Sequence, residues 1–398
     1  MTLLGEVRQS GSTREGEWTS EPGFGVYVHI PFCKHRCHYC DFNTYEGQDA
    51  LHGTYVDALV RSIEEWSPGT AVPRATSVFF GGGTPTLLAI DELARVLSAV
   101  RTRVGLADDP EVTIEANPET VDERTFEGLL AAGFNRFSIG VQSLAPHVLA
   151  GLGRTHSAER AVGAARAARR AGVTDLNLDL IYGSPWESDA DWEDTLARTV
   201  GTEPDHLSVY ALTLEEGTPL HTLVATERVP DVDPDVQARR YEIALEVLDG
   251  AGYERYEVSN WARPGRASRH NVLYWCAGDY LGFGAGAHGH LDGTRFWNLR
   301  LPRDFIAAAP TGELVAGSER LEGLGRAAEA AMLGLRLRSG IDCERFEEQW
   351  PGLLSSSGDR IRMLADSGML EWHAGKLRIS DSYIFVTNEV LCQLLAVE

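Results

Sequence analysis

Three of the six cysteines fall within eight residues, in Cys33-Lys34-His35-Arg36-Cys37-His38-Tyr39-Cys40. Thiolates this close in a loop can turn toward one metal centre. A Cys-x3-Cys-x2-Cys run points to a cubane 4Fe-4S cluster on three thiolates, with its fourth iron open to another ligand. His35 and His38 leave a second reading open, a structural zinc site closed by an imidazole. Further along lies Gly81-Gly82-Gly83-Thr84-Pro85-Thr86. Without side chains in the way, a ligand can approach this backbone and meet outward amides. No Gly-Lys-Ser/Thr follows, so a ligand carboxylate fits better than a triphosphate; a tight strand-to-helix turn explains the glycines equally well. Glu115 and Asp179 sit in or at the ends of apolar strands, where an unpaired charge is expensive. Each should face a polar cleft and a cationic or hydroxyl-bearing ligand, unless Arg136 or Arg154 pairs with it internally. Taken singly, Gln142 and Arg154 read as surface or capping residues.

The elements that must carry these residues alternate. Val26 to Ile30 reads as a buried strand ending at Pro31, and Tyr55, Val56, Leu59, Val60 and Ile63 recur at helical spacing after the cysteine loop. Strands follow at Ser77 to Phe80, Val112 to Ala116, Arg136 to Gly140, Leu176 to Ile181 and His206 to Tyr210, each trailed by a helix. Asp91, Asp122 and Ser157 are the expected caps of three of those helices. Six strand-then-helix units imply a parallel sheet, either doubly wound or barrel-like, with chemistry at the C-terminal ends of the strands. Cys33, the glycine run, Glu115, Gln142 and Asp179 all fall there, which argues for one shared cleft. Residues 1–22 read as a polar arm, and 23–255 as the strand-helix domain. Residues 256–320 read as an irregular connecting segment rich in glycine and aromatics. Residues 321–398 read as a small α+β unit of helices and a hairpin, like a winged helix.

At 398 residues the chain can bury a substantial core. Its net charge of −22 is spread along the chain and argues against nucleic acid or anionic membrane as general partners. No apolar run approaches a bilayer span, and Cys276, Cys343 and Cys392 are scattered. A reducing, cytoplasmic location is expected.

Taken together, these motifs resemble the radical S-adenosylmethionine (SAM) superfamily. Cys33, Cys37 and Cys40 match its cysteine motif, with Tyr39 in the aromatic position before the third cysteine, and Gly81 to Thr86 match its glycine motif. Within it, Tyr27-Val28-His29-Ile30-Pro31-Phe32-Cys33, the glycine run, Gly140-Val141-Gln142-Ser143 and Asp179-Leu180-Ile181-Tyr182-Gly183 are similar to the oxygen-independent coproporphyrinogen III oxidase family. The resemblance covers about residues 24 to 390. It implies a partial (βα)6 barrel of the triosephosphate-isomerase (TIM) type and a 4Fe-4S cluster whose open iron takes the amino and carboxylate groups of SAM. By motif, Tyr27, Tyr39, Gly82, Gly83, Thr84, Glu115, Gln142, Arg154 and Asp179 would contact SAM.

Two departures bear on activity. The oxidases place a fourth cysteine two residues after the third, whereas Asp41-Phe42-Asn43 follows Cys40 here, and their N-terminal segment is longer. A histidine among aromatics, His270-Asn271-Val272-Leu273-Tyr274-Trp275, resembles the haem-chaperone branch of the family. That branch implies haem as cargo, with His270, Asn271, Tyr274 and Trp275 around it, His270 on the iron, and His288 and His290 in reserve. A structural hydrogen-bonding role is the alternative for His270. The branch further implies recipient respiratory haem proteins and an electron donor, and leaves open peripheral contact with membrane respiratory complexes and a homodimer. The competing expectations are oxidative decarboxylation of coproporphyrinogen III and, more distantly, another radical reaction such as methyl transfer. No catalytic residue is assigned.

Overall fold

The computed structural model describes residues 23–67 and 72–395. The expected arm over residues 1–22 lies outside them. Six strands run parallel and pair in sequence order: β1 (Gly25–Ile30), β2 (Ala75–Gly82), β3 (Leu106–Ala116), β4 (Arg136–Gln142), β5 (Leu176–Tyr182) and β6 (His206–Ala211). A doubly wound sheet would reverse that order midway, so the barrel-like alternative holds.

Between and after them come helices α1 (His52–Glu65), α2 (Ile90–Arg103), α3 (Glu123–Ala132), α4 (Ala158–Arg170), α5 (Asp189–Val200) and α6 (Pro234–Gly250). The helical spacing read in the sequence is the buried face: Tyr55, Val56, Leu59 and Ile63 of α1 are each 0% exposed. Local signals set the ends. Asp122 accepts from Thr125 N at 2.8 Å to start α3, and Gly133 at φ 104° stops it. Asp91 is not a cap, because α2 begins one residue earlier and Glu92 reaches back to Ala89 N at 2.9 Å.

Residues 256–320 depart from expectation. They form β7 (Asn260–Ala262), α7 (Arg269–Trp275), β8 (Tyr280–Phe283), β9 (His288–Leu291), β10 (Thr294–Asn298) and β11 (Val315–Arg320). β7 pairs antiparallel with β6, while β8 pairs parallel with β1 and leads into antiparallel β9 to β11. The outermost strands do not pair with each other, so the barrel is partial. Glycine made this stretch look irregular, yet several of its glycines are cross-strand packing sites. A Cβ on Gly289 would meet the ring of its partner Phe296 at 2.2 Å, and one on Gly317 the ring of Trp297 at 2.5 Å.

The C-terminal unit carries α8 (Gly323–Gly334), α9 (Cys343–Gln349), α10 (Gly358–Asp366), the hairpin β12 (Leu370–His373) and β13 (Lys376–Ile379), and α11 (Thr387–Leu395). It has its own core around Ala331, Leu364, Leu377 and Leu394. Arg255 pairs with Asp381, and Arg338 N donates to Tyr256 O at 2.9 Å, tying the unit to the barrel.

The inner face of the barrel is polar. Asn177 Nδ2 donates to Ser138 Oγ at 2.8 Å, Asp179 Oδ1 at 2.8 Å and Ser208 Oγ at 3.0 Å, and Asn177 Oδ1 lies 2.7 Å from His206 Nδ1. A lumen built this way is a place for a polar ligand rather than a packed apolar core.

Candidate functional site

The cysteine loop leaves β1 at Pro31 and covers the C-terminal mouth of the barrel. Cys33, Cys37 and Cys40 are free and half-buried. Arg154 Nη1 donates to Cys37 Sγ at 3.3 Å, Thr84 Oγ1 sits 3.9 Å from Cys33 Sγ, and Thr44 Oγ1 lies 4.0 Å from Cys40 Sγ. Burial pushes Cys33 up to about 11 and raises Cys40 as well. Thiols in that state become thiolates when a metal replaces their protons. Among the described residues no three His, Cys, Asp or Glu side chains close on a single ion. His38 turns to Gly151 O at 3.0 Å, and His35 to Glu46 at 3.7 Å. A one-metal zinc site therefore lacks its closing ligand, whereas a cubane asks for one thiolate per iron. Three thiols, each beside a cation or a hydroxyl, fit such a cluster by their chemistry.

Behind the loop, the glycine run differs from expectation. A Cβ on Gly82 would meet the His29 ring at 2.3 Å, and one on Gly83 the Phe32 carbonyl at 2.4 Å. Gly82 also holds φ 112°. Its amide donates to Glu115 Oε2 at 3.0 Å, Gly83 N to Ile30 O at 2.8 Å, and Thr84 N to Phe32 O at 2.8 Å. These amides are committed to the protein, so the donors expected for a ligand carboxylate are not free. Close packing is what demands glycine here.

The internal ion pairs weighed for the two carboxylates do not form. Arg136 faces Asp175 at 3.5 Å, and Arg154 binds Cys37 and Gly140 O. Burial, and then the nearby Asp179, push Glu115 up to about 8. Burial also raises Asp179, against the hydrogen bond from Ser138 Oγ at 2.9 Å. Two carboxyls on one wall, neither in a salt bridge among the described residues, suit an ammonium and ribose hydroxyls. Beside them Gln142 sits at φ 66° on a bulge of β4, with its Oε1 buried and unpartnered. Arg154 Nε is in the same condition. Tyr39 is half-buried beside Arg154 and Cys37. Tyr27 bonds His29 Nδ1 at 2.9 Å and stacks on Phe79 with centroids 6.2 Å apart. The SAM-motif residues thus gather at the C-terminal mouth, where two of them keep orphaned atoms.

His270 goes elsewhere. It is 1% exposed, at the N-terminal end of the lumen, with Nδ1 2.8 Å from Ser77 Oγ and Nε2 2.8 Å from Tyr274 Oη. Its ring stacks on Phe79, and burial lowers it to about 3. The expected iron ligand therefore has no nitrogen to offer in this conformation, and the structural alternative describes it. Asn271 Nδ2 donates to Tyr256 Oη at 3.0 Å, again inside the protein. Of the reserve ligands, His288 is exposed and stacks on Trp297, while His290 faces Asp279 at 3.2 Å.

Glu111 escaped the sequence reading. It is 6% exposed and caps α7, accepting from Arg269 N at 2.8 Å, His270 N at 3.0 Å and Ser268 Oγ at 3.2 Å. An acid just before the apolar part of β3 was the available signal, but its partners lie some 158 residues away.

Residues 27–199 match the Radical SAM superfamily, and residues 324–385 match the HemN C-terminal domain. The heme chaperone HemW of Mycobacterium tuberculosis is 41% identical over 377 residues, covering 94% of this chain and 95% of that protein. The heme chaperone HemW of Bacillus subtilis is 32% identical, over 92% of this chain and 95% of its own. The mitochondrial Radical S-adenosyl methionine domain-containing protein 1 of Mus musculus is 37% identical, over 93% and 87%. Among solved structures, coproporphyrinogen III oxidase (HemN) of Escherichia coli, a radical SAM enzyme, superposes with a TM-score of 0.80 over 94% of this chain and 90% of that one. At 24% identity the likeness establishes a shared fold.

Proposed function

Because the chain belongs to the radical SAM superfamily, in the branch of the coproporphyrinogen III oxidase-like family that holds the heme chaperones HemW, we propose that it is a haem chaperone. In this reading it binds haem, delivers it to respiratory haem proteins in the cytoplasm or at the membrane face, and retains a 4Fe-4S cluster and SAM. The observation that carries the reading is the 41% identity spanning nearly the whole of both chains. Asp41-Phe42 in place of a further cysteine supports it. Among the described residues no helix is long and apolar enough to cross a membrane.

Cys33, Cys37 and Cys40 would hold the cluster, with Arg154, Thr84 and Thr44 donating toward their sulfurs. When bound, the cluster can supply one electron to the SAM sulfonium. Glu115 and Asp179 would take the ammonium and ribose hydroxyls, and Gln142 Oε1 would gain the donor it lacks. Tyr27, Tyr39, Gly82, Gly83 and Thr84 would shape the wall around them.

The test separates carrier from oxidase. Anaerobically reconstituted protein is incubated with coproporphyrinogen III, SAM and a one-electron reductant. The expected result is unchanged coproporphyrinogen together with measurable hemin binding; formation of protoporphyrinogen would overturn the chaperone reading.

A further inference from the structure

A hydrogen-bonded chain crosses the lumen from α7 to the carboxyl wall of the mouth. Asn271 Nδ2, on α7, donates to Tyr256 Oη at 3.0 Å, with Glu257 Oε1 as a further acceptor at 3.4 Å. Tyr256 Oη lies 2.9 Å from His206 Nε2, and His206 Nδ1 lies 2.7 Å from Asn177 Oδ1. Asn177 Nδ2 then donates to Asp179 Oδ1 at 2.8 Å. The middle members, Asn177, His206 and Tyr256, are buried, and none of them belongs to the cluster, SAM or haem motifs.

The chemistry of these groups fixes the direction of each bond. Burial, and then Arg136, hold His206 well below its ordinary value, so its ring is neutral and carries one N–H. Asn177 Oδ1 can only accept, which puts that proton on Nδ1 and leaves Nε2 to accept from the Tyr256 hydroxyl. The Tyr256 oxygen in turn accepts from Asn271, and the far end falls on a carboxyl oxygen. All the donors therefore point one way, from α7 to Asp179, and bonds in such a series polarise and strengthen one another. Loss of the first donor weakens the hold on the last acceptor.

α7 is the movable member. It is seven residues long, and Ala277 behind it sits at φ 51°, a left-handed conformation that alanine enters at a cost. His270, Asn271 and Tyr274 all direct their polar atoms to partners within the protein. A haem taken up by this motif must break those bonds, and with them the first link of the chain.

We propose that this chain couples the two ligand sites: haem on α7 withdraws Asn271 from Tyr256 and so lowers SAM affinity at Asp179, with His206 and Tyr256 as the positioning residues between them. By linkage, SAM lowers haem affinity by the same factor. The inference rests on the haem-carrier reading and gives SAM a role that binding alone fulfils, as a signal for haem release.

Two titrations of anaerobically reconstituted full-length protein test it. Radiolabelled SAM is followed by equilibrium dialysis without and with saturating hemin, and hemin by Soret absorbance without and with saturating SAM. Hemin should raise the SAM dissociation constant about fivefold or more, and SAM should raise that of hemin equally. Tyr256→Phe keeps the ring and loses the hydroxyl; it should still bind each ligand alone but bring both ratios close to one. A merely structural role would weaken the ligands and leave the ratios unchanged. In the wild type, backbone hydrogen exchange over residues 269–275 should rise with hemin and fall again when SAM is added. Hemin that binds without lowering SAM affinity, a Tyr256→Phe protein that keeps the wild-type ratios, or exchange that hemin leaves unchanged overturns the coupling and leaves the carrier reading standing. A wild type that binds no hemin overturns the carrier reading and the coupling with it.

Discussion

At the N-terminal end of the lumen, Ser77, His270 and Tyr274 form a hydrogen-bonded chain, and Glu111 caps the helix that carries the latter two. At the C-terminal mouth, Gln142 and Arg154 keep buried polar atoms without partners, and Glu115 and Asp179 are half-buried without a salt bridge among the described residues. Both ends are polar, and both keep some unpartnered atoms: Gln142 Oε1 and Arg154 Nε at the mouth, Arg136 Nε and Thr113 Oγ1 toward the other end, where His270 itself is fully bonded. A finished network holds a structure closed, whereas an unfinished one costs stability that a ligand can restore. What differs is the histidine that looked most functional: in the plug both its nitrogens are bonded, whereas Gln142 at the mouth keeps a free oxygen.

Three measurements press on this contrast. The largest effect concerns Glu115, whose folded value is raised from 4.5 to about 8. Between those values the unfolded chain has lost a proton that the folded chain keeps, so apoprotein stability falls as pH rises through that window. Denaturation of the apoprotein across it should show the decline, on the order of several kcal/mol, and Glu115→Gln should flatten it. A wild-type profile as flat as the variant's would mean that the mouth is not under electrostatic load.

Next, Glu111→Ala leaves two buried backbone donors of α7 without an acceptor and should cost about 3 kcal/mol in urea unfolding. SAM affinity of the folded variant should stay at the wild-type level. A large loss of SAM affinity with little loss of stability would reverse the roles of the two ends.

The smallest effect on folding belongs to Gln142, held at φ 66°. Gln142→Gly relieves the backbone but adds freedom to the unfolded chain, so apoprotein stability should change by less than about 1 kcal/mol. Calorimetric SAM affinity should nevertheless fall, because the unpartnered Oε1 is removed. Unchanged affinity would detach Gln142 from the site.

Alternation of apolar strands and helical stripes made the six parallel units legible, because period and burial are local properties of the chain. Residues 256–320 were not legible in the same way. Short strands with glycine at cross-strand aromatic contacts, such as Gly289 against Phe296, carry no local period. The second half of the sheet therefore read as loop.

The site divides along the same line. The sequence by itself determined that three thiols share one loop and that glycines, Glu115, Gln142 and Asp179 fall at strand ends, since spacing and strand polarity suffice for that. Only the tertiary structure decided how each group is used. It committed the amides of Gly82, Gly83 and Thr84 to Glu115, Ile30 and Phe32, and it turned His270 inward to Ser77. It also set Trp275 and Cys276 on a cleft with residues from the C-terminal unit. Hydrogen-bond partners and helix faces depend on packing between segments far apart in the chain, and no local pattern encodes which side of α7 meets the lumen.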